Sequence, residues 1–255
     1  MTNYQLPDNM KKETYIYGIR PTIEAIKSGK ELEKIFLQNG LRGDGFHELF
    51  NLIKELEIPF QFVPIEKLNR LSRQNHQGII SYVSEITYQQ IEDLVPYVFE
   101  QGRQPLFLIL DRVTDVRNVG SIARTAECAG VDGLILPARG SAQINSDAIK
   151  TSAGALYKLP VVRAQNLKET IQFLKNSGLT IVAATEKAEN EYTKADYNKP
   201  MALILGSEGE GISEEYLKLT DEVVRIPLAG EIESLNVSVA SGVILFEALR
   251  QRNAK

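Results

Sequence analysis

The chain has almost none of the residues from which metal centres and covalent crosslinks are built. Its single cysteine, Cys128, excludes an intrachain disulfide and a cysteine zinc cluster. Its two histidines, His47 and His76, form no ligand cluster, so no metal is expected. Flanked by Ala126 and Ala129, Cys128 reads as a small residue packed within a helix. No segment has the continuous apolarity needed to cross a membrane, and MTNYQLPDNMKK lacks the apolar run of a signal peptide. A soluble cytoplasmic protein is therefore expected. Also absent are internal repeats, low-complexity tracts and any long Lys/Arg run. The formal net charge of -4 argues against a uniformly basic surface. It leaves room for local patches, which are what RNA phosphates meet.

What is present is a globular composition, 43% hydrophobic and 24% charged over 255 residues. That supports one large core, or one substantial domain and a small one. Residues 1–12 are polar and are expected to be flexible. Residues 13–85 read as a small α/β module, with a helix begun near Pro21 and a strand around Ile35 to Leu37. Phe46, Leu49, Phe50, Ile53 and Leu56 follow at helical spacing, and a last strand runs from Ile79 to Val83. Residues 86–104, with Pro96, Gly102 and Pro105 close by, read as a connector with room for a short helix. From 105 to 255 the texture is that of a larger α/β domain. Apolar runs at 106–110, 133–136, 180–185, 202–206 and 223–227 alternate with helical patterns at 118–129, 167–176, 213–219 and 236–250. Such strands, apolar on both faces and separated by helices, predict a largely parallel sheet covered on both sides.

Three segments of this second domain hold more polar chemistry than packing needs. In DRVTDVRNVGSIARTA (111–126), Val119, Ile122, Ala123 and Ala126 make an inner helical face, while Asn118, Ser121, Arg124 and Thr125 fall on another side. Arg124 could hold a phosphate and Asn118 align a hydroxyl; the plain alternative is a capped helix with an exposed arginine. In ALILGSEGEG (202–211), Gly206, Gly209 and Gly211 allow sharp turns and a close approach to a ligand. This is neither GxGxxG nor GxxxxGK, which counts against a nicotinamide oxidoreductase. Glu208 and Glu210 suit a cationic partner, and Glu208 could orient Arg124; a simple turn is the competing reading. In the third segment, 225–250, Ser234 or Asn236 caps a helix whose buried side includes Val237, Ala240, Val243, Ile244 and Leu249. Ala240 and Gly242 leave space for another helix or chain to approach, and ordinary packing within the chain explains them as well.

In this order the three segments resemble the signature regions of the SpoU (TrmH) family of RNA ribose 2'-O-methyltransferases. The likeness extends through residues 139–163, which resemble the ribosomal RNA branch, and reaches Tyr17-Gly18 and the run Asn75 to Gly78 in the small module. The resemblance implies a SPOUT-type knotted parallel-sheet domain behind a small RNA-binding domain. It further implies a homodimer and S-adenosyl-L-methionine as methyl donor. By the same likeness Asn118, Arg124, Glu208, Ser234 and Asn236 are catalytic, and Gly206, Ile226, Leu228 and Leu235 contact the donor. Arg20, Lys30, Arg42, Arg70, Arg73 and His76 are candidate RNA contacts, with a plain turn role competing for His76. The implied substrate is a guanosine of large-subunit (23S) ribosomal RNA, free or in a ribosome assembly intermediate. A transfer RNA substrate and a noncatalytic ribosome-assembly protein are the alternatives. One position departs from the pattern: Val116 stands where many relatives carry proline, which would pre-set the backbone entering the helix.

Overall fold

A computed structural model describes residues 15–254; the flexible terminus expected at 1–12 lies outside them. The described residues divide into two compact units, the smaller ending at Thr87 and taking in Ile144–Ser146, the larger made of Tyr88–Gln143 and the chain from Asp147 onward.

The smaller unit runs β1 (Tyr15–Tyr17), α1 (Ile19–Lys27), β2 (Leu32–Gln38), α2 (Asp44–Glu55), β3 (Phe60–Val63), α3 (Ile65–Leu71) and β4 (Ile79–Val83). The four strands lie in the order β1-β4-β2-β3, with β4 antiparallel to β1 and β2, and β3 parallel to β2. Alternation along β2 sends Ile35 and Leu37 into a core with Ile23, Leu49, Ile53 and Ile79, and Phe36 to the opposite face with Val63, Leu68 and Ile80. Burying both faces of so small a sheet takes helices on each side, α1 and α2 on one and the short α3 on the other.

The larger unit contains β5 (Tyr88–Gln89), α4 (Ile91–Glu100), β6 (Leu106–Leu110), α5 (Val116–Cys128), β7 (Gly133–Pro137), α6 (Ser146–Thr151), β8 (Val161–Ala164), α7 (Leu167–Asn176), β9 (Thr180–Ala184), β10 (Met201–Leu205), α8 (Glu214–Leu217), β11 (Glu222–Val224) and α9 (Val237–Asn253). All seven strands pair in parallel, in the order β11-β9-β10-β6-β7-β8-β5. Every residue of β6 and β10 is buried, as continuous apolar runs with helices on both faces require. The segment expected to be a connector is instead part of this unit. Its β5 forms the sheet edge beside β8, and Ile91, Val95 and Val98 of α4 enter the main core despite Pro96 inside the helix. Arg252 ties the end of α9 to the start of the sheet, donating to the carbonyls of Gln104, Pro105, Tyr197 and Lys199 at 2.6–3.1 Å.

The order fixes where a ligand can sit. The chain runs from β6 to β7 and β8 on one side, while β10, β9 and β11 lie on the other, so direction reverses between β6 and β10. Ligands of open parallel sheets bind beyond the carboxyl ends of the strands at such a reversal.

Candidate functional site

The three polar segments all leave carboxyl ends of this half of the sheet: 111–118 follows β6, 206–211 follows β10, and 225–236 follows β11. Asp115 caps α5, its Oδ1 accepting from the backbone N–H groups of Arg117 (2.7 Å) and Asn118 (2.9 Å). Val116 thus occupies the first helical position, where proline is favoured. The carboxylate cap holds the entry that proline would have pre-set.

The loop after β10 closes on itself through Ser207 and Gly211, whose backbone groups exchange hydrogen bonds at 3.0 and 3.2 Å. Gly206 lies so close to the returning strand that a Cβ there would stand 2.1 Å from the Gly211 carbonyl carbon. Two residues at the end of β6 secure the loop. The buried Asp111 carboxylate takes the Ser213 N–H at 2.7 Å and its hydroxyl at 2.6 Å. Arg112, at a left-handed φ of 55°, donates to Gly211 O at 3.2 Å, to Asp111 at 3.3 Å and to Glu210. Sequence reasoning missed this clamp, although a charged pair directly after a fully apolar strand is a visible sign of it.

Asn236 does two things at once. Its Oδ1 caps α9 through Ser238 N–H at 2.9 Å. Its Nδ2 donates to Glu208 Oε1 at 2.6 Å and to Asn118 Oδ1 at 3.0 Å, and Asn118 Nδ2 reaches the same Glu208 oxygen at 3.0 Å. Three residues from three segments therefore form one hydrogen-bonded cluster. Glu208 accepts from the two amides rather than orienting Arg124. Arg124 is exposed further along α5 and has no side-chain hydrogen bond or ion pair among the described residues.

Beside the cluster lies a cleft of about 290 Å³. Gly206, Ile226, Leu228 and Leu235 line it, together with Glu208 and Ser234. Leu205, Val224 and Val237 add apolar wall, and Glu186 and Glu233 add carboxylates. Thr185 and Glu186, at the end of β9, were not singled out from the sequence, though they follow an apolar strand on the same edge. A Cβ added at Gly242 would meet Thr125 Cγ2 of α5 at 3.6 Å, an ordinary contact, so packing against α5 leaves room for a methyl there.

Two expectations are corrected. Cys128 is exposed, because it ends α5 rather than lying on its buried face. His76 is 6% exposed with both ring nitrogens engaged, accepting from Gly78 N–H and pairing with Asn69 Oδ1, each at 3.0 Å. It builds the turn into β4 and is withdrawn from the candidate RNA contacts. The five basic candidates are all exposed. Arg20 and Arg42 follow the carboxyl ends of the parallel β1 and β2, whereas Lys30 sits at the opposite end, between α1 and the start of β2. Arg70 and Arg73 belong to α3 and the loop after it.

Comparison with known proteins supplies the context. Residues 105–246 match the family model described as SpoU rRNA Methylase family, and residues 15–89 match one described as RNA 2'-O ribose methyltransferase substrate binding. A Bacillus subtilis protein named for the TrmH family of tRNA/rRNA methyltransferases is 34% identical over 244 residues, 95% of this chain and 98% of that one. The solved SpoU methyltransferase AviRb from Streptomyces viridochromogenes, in complex with the cofactor AdoMet, is 25% identical with a TM-score of 0.61, covering 94% of this chain and 91% of its own. An AdoMet-bound rRNA methyltransferase from Sinorhizobium meliloti is 26% identical with a TM-score of 0.60, covering 92% and 86%. These neighbours share the SPOUT-type architecture that the resemblance implied.

Proposed function

The chain belongs to the SpoU methylase family, and on that premise we propose that it transfers a methyl group from S-adenosyl-L-methionine to a ribose 2'-hydroxyl of RNA. The proposed target is a guanosine of large-subunit ribosomal RNA. The observation that carries this reading is the Asn118–Glu208–Asn236 cluster, joined through Glu208 to the cleft lined by Gly206, Ile226, Leu228 and Leu235.

The cleft suits the donor chemically. Leu205, Val224, Ile226 and Leu235 offer an apolar wall to a purine, and the carboxylates of Glu186, Glu208 and Glu233 favour a ligand bearing positive charge. When bound, the donor supplies a methyl group already activated on a sulfonium. The protein's share is alignment and charge. Asn118 and Asn236, each held by Glu208, have fixed amide directions and so present one geometry to an incoming hydroxyl. In this reading Arg124, a permanent cation with no side-chain partner among the described residues, takes an RNA phosphate and stabilises negative charge on the attacking oxygen. A guanidinium holds its proton, so Arg124 orients rather than acts as base. Val239 and Phe246, half-exposed and seven residues apart on α9, give that helix an apolar outer face that suits a homodimer contact.

The test is methyl transfer to purified ribosomal and transfer RNA, followed by mapping of the 2'-O-methyl sites. Modification of ribosomal RNA, lost in Arg124→Ala and not restored in Arg124→Lys, is the expected result. Product on transfer RNA alone gives the second reading, since the tRNA/rRNA naming of the relatives covers both substrates. Donor binding without transfer to either sinks the catalytic one.

A further inference from the structure

The cleft leaves one face of the smaller unit unexplained. On the side of the sheet away from α1 and α2, α3 covers Phe36 and Val63 with Leu68. Next to it the same face carries three half-buried tyrosines, Tyr15 and Tyr17 on β1 and Tyr82 on β4. The register sets Tyr82 opposite both Tyr15 and Lys34. Tyr15 meets the edge of Tyr82 at 4.7 Å and stacks beside Tyr17 at 6.1 Å, while Phe36 meets Tyr82 edge-on at 5.6 Å. The result is a strip of rings running from β1 towards β2.

Two ammonium groups border the strip. Lys34 Nζ lies 5.0 Å and Lys67 Nζ 4.9 Å from the centroid of the Phe36 ring. Neither lysine has a carboxylate partner among the described residues. Burial, and then the charge of Lys67, hold Lys34 below the usual lysine pKa. Two like charges gathered over one ring repel each other, and a bound polyanion relieves that repulsion. Aromatic faces beside paired cations are also what unstacked bases and their phosphates require. The exposed arginines weighed from the sequence offer charge without rings.

We propose that the tyrosine strip of the smaller unit, with Lys34 and Lys67, is the surface that takes an unpaired stretch of substrate RNA. Bases lie on Tyr17, at the open end of the strip, and phosphates on the two lysines. That the bound RNA is the methylation substrate rests on the function proposed above; binding at this face does not.

The experiment measures binding of the full-length protein to a short fluorescein-labelled single-stranded oligouridylate and to purified ribosomal RNA, over a range of salt concentrations. Lys34→Gln/Lys67→Gln is expected to weaken oligouridylate binding about ten-fold and to lower the salt slope by roughly 1.4, about 0.7 per phosphate contact on a single strand. Tyr17→Leu is expected to weaken it about five-fold or more with the slope unchanged. The charge-keeping Lys34→Arg/Lys67→Arg retains binding, and unchanged melting temperatures show that the variants fold. Wild-type affinity and slope in the double glutamine variant overturn the proposal. So does loss of binding in Arg20→Gln/Arg42→Gln instead, or no binding of oligouridylate by the wild type. If lysine-dependent binding persists while the wild type transfers no methyl group, the catalytic reading fails and this one stands.

Discussion

Replacing Gly206 by alanine tests whether the loop after β10 is held in one position for a reason. Gly206 is not in the left-handed region, so the obstacle is space rather than torsion. An added Cβ would stand 2.1 Å from Gly211 C and 2.3 Å from both Gly211 O and Ile212 N, where ordinary contact begins at 3.4 Å, a shortfall of 1.1–1.3 Å. The atoms in the way are backbone and cannot rotate aside. The loop must lift by about 1 Å, which parts Gly211 O from Arg112 and from Ser207 N–H, both already at 3.2 Å. Glu208 rides on that loop, so its bonds of 2.6 and 3.0 Å to Asn236 and Asn118 open with it. Misplacement of this size costs catalysis roughly 100-fold. Single-turnover methyl transfer at saturating RNA should fall by about that factor, with weakened donor binding by calorimetry. Gly209→Ala is the comparison. Its φ is 91° with no atom within 4 Å of the added carbon, so it carries only a torsional penalty of about 1–2 kcal/mol. If Gly206→Ala binds donor and transfers methyl within about three-fold of an active wild type, the loop does not set the position of Glu208 and the reasoning is refuted.

Other perturbations separate stability from chemistry. A Cβ at Gly120 would meet Ala148 O at 2.7 Å and Thr151 Cβ at 2.8 Å, forcing α5 from α6; Gly120→Ala should cost about 1–3 kcal/mol in urea unfolding despite alanine's better helix propensity. Arg252→Met takes the guanidinium from four carbonyls, of which Pro105 O keeps the Met201 N–H, and should destabilise by about 3 kcal/mol, with Arg252→Lys intermediate, as read by chemical denaturation. Hydrogen bonds from Arg250 and Gln251 pull the Glu247 pKa from the usual 4.5 to about 2. A depressed carboxyl pKa stabilises the fold above 4.5, and that contribution is lost as the pH falls from 4.5 towards 2. The melting temperature of Glu247→Gln should therefore fall less steeply than wild type over that interval, and parallel curves would contradict the assignment.

How much was legible depends on how far along the chain the cause of each feature lies. The strands β6, β9 and β10 were readable because both their faces are buried, which leaves an unbroken apolar run. Helix α7 matches its expected span because Asn166 caps it and Leu167, Ile171 and Leu174 fall at helical spacing. Short elements left no period to see: α3 and α6 have seven and six residues, and β8 only four. Pro96 limited α4 to a short helix in a connector, since a proline in a helix interior normally ends it, and here burial of Val95 and Val98 outweighs the lost hydrogen bond. Within the site, local spacing could mark Asn118, Glu208 and Asn236 as polar residues without a packing role. That they bond to one another across 90 and 118 residues is a property of the sheet order. The implied SPOUT-type chain path came from the resemblance alone, because no hydrophobic period encodes it.

The edge position of β5 also decides where the polypeptide can be divided. The matched methylase region begins at residue 105, but a fragment cut there would strip Val161–Ala164 of its outer neighbour, leaving only β7 beside it, and remove Ile91, Val95 and Val98 from the interior. Its bare ladder of amides would invite pairing with other chains. Severing the backbone just ahead of Tyr88 keeps that border, so the sheet of the larger unit begins further upstream than the matched methylase region.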